Sequence, residues 1–231
     1  MEAIFKLPYN QNGPVGNFYR KIKWNNGFER WDLIRINTPG DGSCLFHAIE
    51  NGYSLPYYNE MINGEKMERN NIVRHMRKSL AAKLASKVSS DPNSKIYYEL
   101  INSGNTAEFQ VSDNLPEYNY SLENMQKQLA SNNNIGYGYI EFISNVLNKN
   151  IYILSSTGKD IYPFGKSELD NIYKEDRLSI VLYYIENEKS NNLDHYELIG
   201  VMNNGVVDTH FEPDHYFIKF LYDKVKNKIN S

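Results

Sequence analysis

The chain of 231 residues contains one cysteine, no long apolar run and no excess of either charge. A single thiol cannot close an internal disulfide, and with only five histidines it cannot build a cysteine-rich zinc site. A reducing compartment, the cytoplasm, is therefore expected. No stretch approaches the roughly 18 apolar residues of a membrane span. The start, MEAIFKLPYNQNGPVGNF, lacks the charged flank and apolar centre of a secretory signal. No membrane partner is expected. Lys and Arg number 25 against 28 Asp and Glu, a net charge of −3, and no basic block stands apart from its counter-charges. Long-range attraction to phosphate is weak, which argues against nucleic acid as a partner.

Apolar residues at 41% and charged residues at 23% are ordinary for a folding chain, and the length suits one well-buried core. Asn, Tyr, Lys and Ile are abundant, a bias that AT-rich codons produce in viruses, intracellular bacteria and protists. For a viral or bacterial effector the compartment would be the host cytosol. Residues 1–30 mix Gly, Asn, Pro and aromatics without a period and read as an irregular lead-in. Residues 31–231 read as one catalytic-sized domain, expected to be a monomer.

Within that domain, WDLIRI at 31–36 reads as a strand ended by Thr38-Pro39-Gly40. Ser43 is an N-cap candidate for a helix that starts at Cys44, buries Leu45, Ala48 and Ile49, and ends at Gly52. Ile72, Met76, Leu80, Leu84 and Val88 recur every fourth residue, which predicts an amphipathic helix over 65–88. Residues 89–120 read as loops with one short helix near 95–102. Helices follow at 121–130, opened by Ser121, and at 139–148, with a loop at 132–138 between them. Then the period changes: IYIL at 151–154, SIVLYYI at 179–185 and YELIGVM at 196–202 are β-branched and aromatic runs of strand length. The tail HYFIKFLYDKVKNKI fits either a strand or a closing helix. Helices first and strands later predict an α+β fold, with a small central β-sheet packed between helices.

The stretch TPGDGSCLFHAIENGY holds the lone cysteine. A thiol attacks carbonyls as the thiolate, and its unperturbed pKa is about 8.5. A helix N-terminus favours the anion, so Cys44 at a helix start is expected to have a lowered pKa. The same N–H groups, with those of the Gly40-Asp41-Gly42 turn, can face an oxygen that becomes negative in a tetrahedral intermediate. Yet free cysteines are among the most buried residues, and a glycine turn before a helix is common. Alone, this stretch is compatible with an inert packing residue.

A reactive thiol needs a base, usually histidine. His47 is one turn along the same helix, and His75 sits in a charged stretch that reads as solvated. His195, His210 and His215 come late. His195 opens a strand on which Glu197, two residues on, shares its face and can orient the imidazole. His215 has Phe217 at that position. His195 is the better base.

Three ordered motifs resemble the ovarian tumour (OTU) family of cysteine proteases, most of them deubiquitinating enzymes. The family's Asp-Gly-x-Cys-Leu-Phe-x-Ala is read here as Asp41-Gly42-Ser43-Cys44-Leu45-Phe46-His47-Ala48. Its aromatic-Gly loop before a helix and strand is matched by Tyr137-Gly138-Tyr139-Ile140-Glu141 through NKNIYIL. Its late His-aromatic-acid motif is matched by His195-Tyr196-Glu197. The resemblance runs over about residues 31–202 and implies an OTU-type papain-like fold. It also implies a catalytic Cys44, His195 as base, and an Asp41 whose loop shapes the oxyanion pocket. No metal or cofactor is implied.

The implied reaction is isopeptide hydrolysis at the C-terminal glycine of ubiquitin, through an acyl-enzyme on Cys44. Ubiquitin or polyubiquitin is thus the implied partner, with a ubiquitin-like modifier as a further substrate. Tyr137, Tyr196 and His47 are candidate walls of the channel for the substrate's Gly-Gly tail. An inactive ubiquitin-binding module is the alternative. Two departures stand out. Glu197 replaces the usual Asp or Asn, which leaves the orienting role open between Glu197, Asp41 and a nearby Asn. Gly136-Tyr137-Gly138 stands where the family often has Trp.

Overall fold

The structure, a computed structural model, describes residues 6–8, 19–22, 28–87, 96–97, 120–135, 139–156, 161–162, 174–185 and 195–229. Strands β1 (Lys6–Pro8), β2 (Tyr19–Ile22) and β3 (Leu33–Ile36) come first. Helices α1 (Cys44–Tyr53) and α2 (Leu55–Asn59) follow, then a short hairpin of β4 (Met61–Ile62) and β5 (Glu65–Lys66). Helices α3 (Arg69–Leu84), α4 (Leu122–Ala130) and α5 (Ile140–Leu147) lead into β6 (Asn150–Ser155) and β7 (Ile161–Tyr162). The chain closes with β8 (Ser179–Ile185), β9 (His195–Asn203), β10 (Val206–Asp208), β11 (His210–Phe211) and α6 (Tyr216–Ile229). The fold is α+β, as expected, with helices packed on both faces of a mixed sheet.

Nine of the described strands form one sheet, larger than the small one expected. The extra strands, β1, β2, β7, β10 and β11, have two to four residues each, too few for a period-two pattern to show in the sequence. Two of them fall within the first 30 residues: β1 pairs with β10 and β2 with β3, so the lead-in is partly built into the sheet. All pairings are antiparallel except β6 with β8. Strand β9 is central. Its Ile199 pairs with Arg35 on one side and Val181 on the other, and its Val201 pairs with Leu33 and Asp208.

Because side chains alternate, each central strand feeds two cores. Ile151, Ile153, Ile180, Leu182 and Leu198 meet α1, α3, α4 and α5. Tyr152, Leu154, Val181, Ile199 and Val201 meet Phe217, Ile218, Leu221 and Val225 of the closing helix α6. The ambiguous tail is thus a helix. Its apolar residues recur at three- and four-residue steps because it covers the sheet's second face.

Three helix boundaries differ from expectation, the first being the end of the long helix at Leu84 rather than 88. The long helix starts at Arg69, because residues 65–66 pair back on 61–62 through a turn with Asn63 and Gly64 in the left-handed region. Gly52 does not end α1 but lies inside it. A Cβ there would sit 2.8 Å from Ile180 Cγ2 and 3.2 Å from Leu198 Cδ1, so this glycine lets the helix rest directly on β8 and β9. The helix at 121–130 is as expected, with Ser121 accepting the Asn124 N–H. Of residues 88–119, only Ile96 and Tyr97 are described, and they are helical; the other expectations there lie outside the described residues.

Candidate active site

The turn from β3 to α1 sets the position of Cys44. Gly42 has φ +82, and a Cβ on it would lie 1.9 Å from the Asn132 carbonyl oxygen, so only glycine fits between the turn and the segment after α4. Asp41 Oδ1 accepts the Ser43 N–H at 2.9 Å and closes the turn locally. Ser43 occupies the N-cap position, yet its side chain makes no capping bond. Its hydroxyl is taken by Arg77. The N–H groups of the first helical turn are therefore left to other acceptors, and those of Cys44 and Leu45 act on the thiol itself.

Cys44 is 4% exposed. Its pKa is raised, against the expectation of a lowered one: burial is the largest cause, and the nearby Asp41 charge adds to it. The backbone N–H groups of Tyr196, Leu45 and Cys44 pull the other way but do not overcome desolvation. Tyr196 directly follows His195, so the start of β9 is brought against the thiol.

Arg77 is the residue that the sequence reading missed. It sits among Val73, Met76 and Leu80 on the buried side of α3 and is 0% exposed. Its guanidinium donates to the carbonyls of Gly42 (3.2 Å), Leu129 (2.8 Å), Gln128 (3.1 Å) and Asn133 (2.8 Å), and to Ser43 Oγ (2.9 Å). Its plane faces the Phe46 ring at 4.5 Å. Gln128 and Leu129 belong to the last turn of α4, where carbonyls lack helical partners and the dipole is negative. One buried cation thus ties the nucleophile's turn to the end of α4. Burial lowers its pKa to about 10, which leaves it charged at neutral pH. The available signal was a charged residue breaking an otherwise apolar helical stripe.

His47 is fully buried, and both its nitrogens are occupied. Nε2 lies 3.2 Å from Asp41 Oδ2 and Nδ1 lies 2.8 Å from the Tyr57 hydroxyl. Burial lowers its pKa and outweighs the Asp41 carboxylate, so the ring is neutral. It then donates Nε2–H to Asp41 and accepts the Tyr57 O–H. A residue without exposed surface cannot wall a channel. His47 instead braces the turn from beneath.

His195 begins β9, half-buried, with 22% of its side chain exposed. Its Nε2 lies 3.3 Å from Thr38 Oγ1 and 3.8 Å from Glu197 Oε1. Glu197 does share its side of the strand, but the carboxylate's other oxygen is ion-paired with Arg35 Nε. Arg35 also lies 5.6 Å over the Tyr183 ring. Burial and then the Arg35 charge lower the His195 pKa, and a hydrogen bond from the ring to the Thr38 main-chain carbonyl acts against them. Tyr196 is 5% exposed and its ring packs at a tilt 5.0 Å from that of Tyr184; its N–H acts on the thiol and its carbonyl accepts from Thr38.

The remaining histidines lie apart. His75 is exposed, as expected. His210 is buried in β11 beside Tyr53, and His215 accepts the Phe217 N–H at the start of α6. Tyr137 and its flanking glycines lie outside the described residues. Among the described residues no group of His, Cys, Asp and Glu is placed to hold a metal ion, and no helix is long and apolar enough to cross a membrane.

Comparison with known proteins adds to this geometry. The family model described as OTU-like cysteine protease matches residues 39–196, more than half of the chain. Among curated proteins no match is found. A solved OTU domain in complex with ubiquitin is 17% identical, with 90% of this chain and 98% of that chain covered, at a TM-score of 0.46. The OTUD1 OTU domain is 16% identical, with 72% and 85% covered, at a TM-score of 0.40.

Proposed function

The chain belongs to the OTU-like cysteine protease family, and from that premise we propose that it is a deubiquitinase that hydrolyses isopeptide bonds at the C-terminal glycine of ubiquitin. The single observation that carries the reading is the convergence on one thiol. The N–H groups of Tyr196, Leu45 and Cys44 act on the Cys44 thiol, and the residue before Tyr196 is the half-buried His195.

With the thiol's pKa raised and that of His195 lowered, the resting pair is neutral. His195 takes the thiol proton as Sγ attacks the scissile carbonyl carbon. The carbonyl oxygen becomes an oxyanion and takes over the Cys44 and Leu45 N–H groups, which the sulfur gives up once its electron pair is in the new C–S bond. The intermediate collapses, the C–N bond breaks, and His195 gives its proton to the departing lysine amine. Water, deprotonated by His195, then attacks the thioester and releases the ubiquitin carboxylate and the free thiol. In this scheme Asp41 shapes the oxyanion turn through Ser43 and His47 rather than touching the substrate. Specificity comes from a channel beside the thiol that is too narrow for any residue but glycine, with Tyr196 as one wall. A ubiquitin-like modifier with the same tail is a further substrate.

Incubation with ubiquitin bearing a C-terminal electrophile tests the proposal. A mass gain of one ubiquitin, absent in Cys44→Ala, is expected. Binding without an adduct would turn the reading into a ubiquitin-binding module. Silence toward both ubiquitin and ubiquitin-like probes would overturn it.

A further inference from the structure

The carboxylate expected to orient His195 is poorly placed to do so. Glu197 Oε1 lies 3.8 Å from Nε2, beyond hydrogen-bond length, and the group's charge is spent on Arg35. Thr38 is nearer, at 3.3 Å, and it is 3% exposed, so no solvent competes for it. Its hydroxyl has a single proton. The Tyr196 carbonyl lies 2.5 Å from Thr38 Oγ1, and two oxygens approach this closely only with a proton between them. That proton must be the threonine's, since a carbonyl has none to give. Thr38 is left with lone pairs for His195, and the ring nitrogen facing it must be the donor.

We propose that Thr38 is the positioning residue that holds His195 as its Nε2–H tautomer and leaves Nδ1 as the basic nitrogen for the Cys44 proton. This rests on the catalytic roles proposed above for Cys44 and His195. The arrangement serves both charge states. When Nδ1 takes the thiol proton, Nε2 keeps its own and still donates to Thr38, so the ring does not turn between the two half-reactions. The same hydroxyl fixes the Tyr196 carbonyl, and with it the Tyr196 N–H that faces the thiol. Thr38 lies outside the family match at 39–196, on the β3 side of the turn.

The test reads the tautomer directly, by two-bond proton–nitrogen correlation on the full-length chain with 15N-labelled histidine. The His195 signal is assigned by its loss in His195→Gln. The wild type and Thr38→Ser are expected to carry the proton on Nε2. Thr38→Val, which keeps the shape and the main-chain carbonyl that also accepts from the ring but removes the hydroxyl, is expected to lose part of the Nε2–H population and to have a kcat lower by about tenfold or more, with Thr38→Ser restoring most of both. A proton on Nδ1 in the wild type would overturn the proposal. So would a Thr38→Val protein that keeps both tautomer and kcat, or a Glu197→Gln protein that loses the tautomer while Thr38→Val retains it. The tautomer of the wild type decides even if Thr38→Val does not fold. It also decides if the chain proves inert toward ubiquitin, so the two proposals fail separately.

Discussion

The turn carrying the thiol and the strand end carrying the imidazole are built to different standards of rigidity. The turn is gripped from three sides: Arg77 from α3, the Asn132 backbone packed against Gly42, and the Asp41–His47–Tyr57 chain from α1 and α2. The strand end has the hydroxyl and main-chain carbonyl of one residue, one distant carboxylate and partial exposure. The difference follows from what each must do. Oxyanion donors work by being in place before the charge develops, which demands a stiff backbone. A base must instead give and take a proton, and its pKa is set by a few local charges. Damage to the turn should therefore appear as lost stability, and damage to the strand end as altered chemistry in a stable protein.

The most severe break expected is Arg77→Met. It leaves four backbone carbonyls near the site without their donor and removes the tie between α4 and the turn. A loss of about 3 kcal/mol or more in unfolding free energy is expected, read from urea titration. An unchanged midpoint would show that the guanidinium is not the clamp. Gly42→Ala comes next. The left-handed φ costs about 1–2 kcal/mol, and the Cβ must displace the Asn132 backbone. The expected signature is a loss of about 2 kcal/mol in stability together with a kcat reduction. Normal kcat would separate the turn's geometry from catalysis.

Arg35→Met is the mildest and sharpens the other side of the comparison. Arg35 lowers the His195 pKa, so its removal raises that pKa and leaves the Glu197 charge unopposed. Catalysis needs His195 neutral. The acid limb of kcat/KM is expected below the ordinary histidine value of about 6.5 in the wild type, and to move upward in the variant. The midpoint of thermal unfolding should also fall, because the buried Glu197 loses its partner, but by less than in Arg77→Met, since Arg35 is itself partly exposed and makes one ion pair. A limb that shifts downward would contradict the assigned base. A stability signature accompanies these profiles. His47 and His195 both have lowered pKa values in the fold, so the unfolded chain binds more protons below about pH 6.5. Their contribution is fully present above that pH and is lost as the pH falls through their folded values.

Much of this was legible before any fold was known. The runs 150–155, 179–185 and 195–203 show themselves as strands because they are long enough for β-branched and aromatic residues to dominate. The four-residue spacing of Ile72, Met76, Leu80 and Leu84 marks α3 for the same reason. The two-residue and three-residue strands stay silent, since pairing rather than propensity makes them. Gly52 was read as a stop signal, which is its commoner local meaning; contact with Ile180 and Leu198 is a fact about the sheet.

The sequence by itself determined which residues can react, because a lone thiol, a histidine at a strand start and a glycine turn are chemical identities that folding does not alter. It also determined the period of each long element, which depends only on near neighbours. The partnerships were decided by tertiary structure alone: Thr38 rather than Glu197 beside His195, Arg35 on Glu197, Arg77 under Gly42, and His47 locked away from substrate. Each joins atoms from separate elements. The physical reason is that burial and hydrogen-bond partners depend on where the chain returns, and burial is what raised the Cys44 pKa against the pull of its own helix.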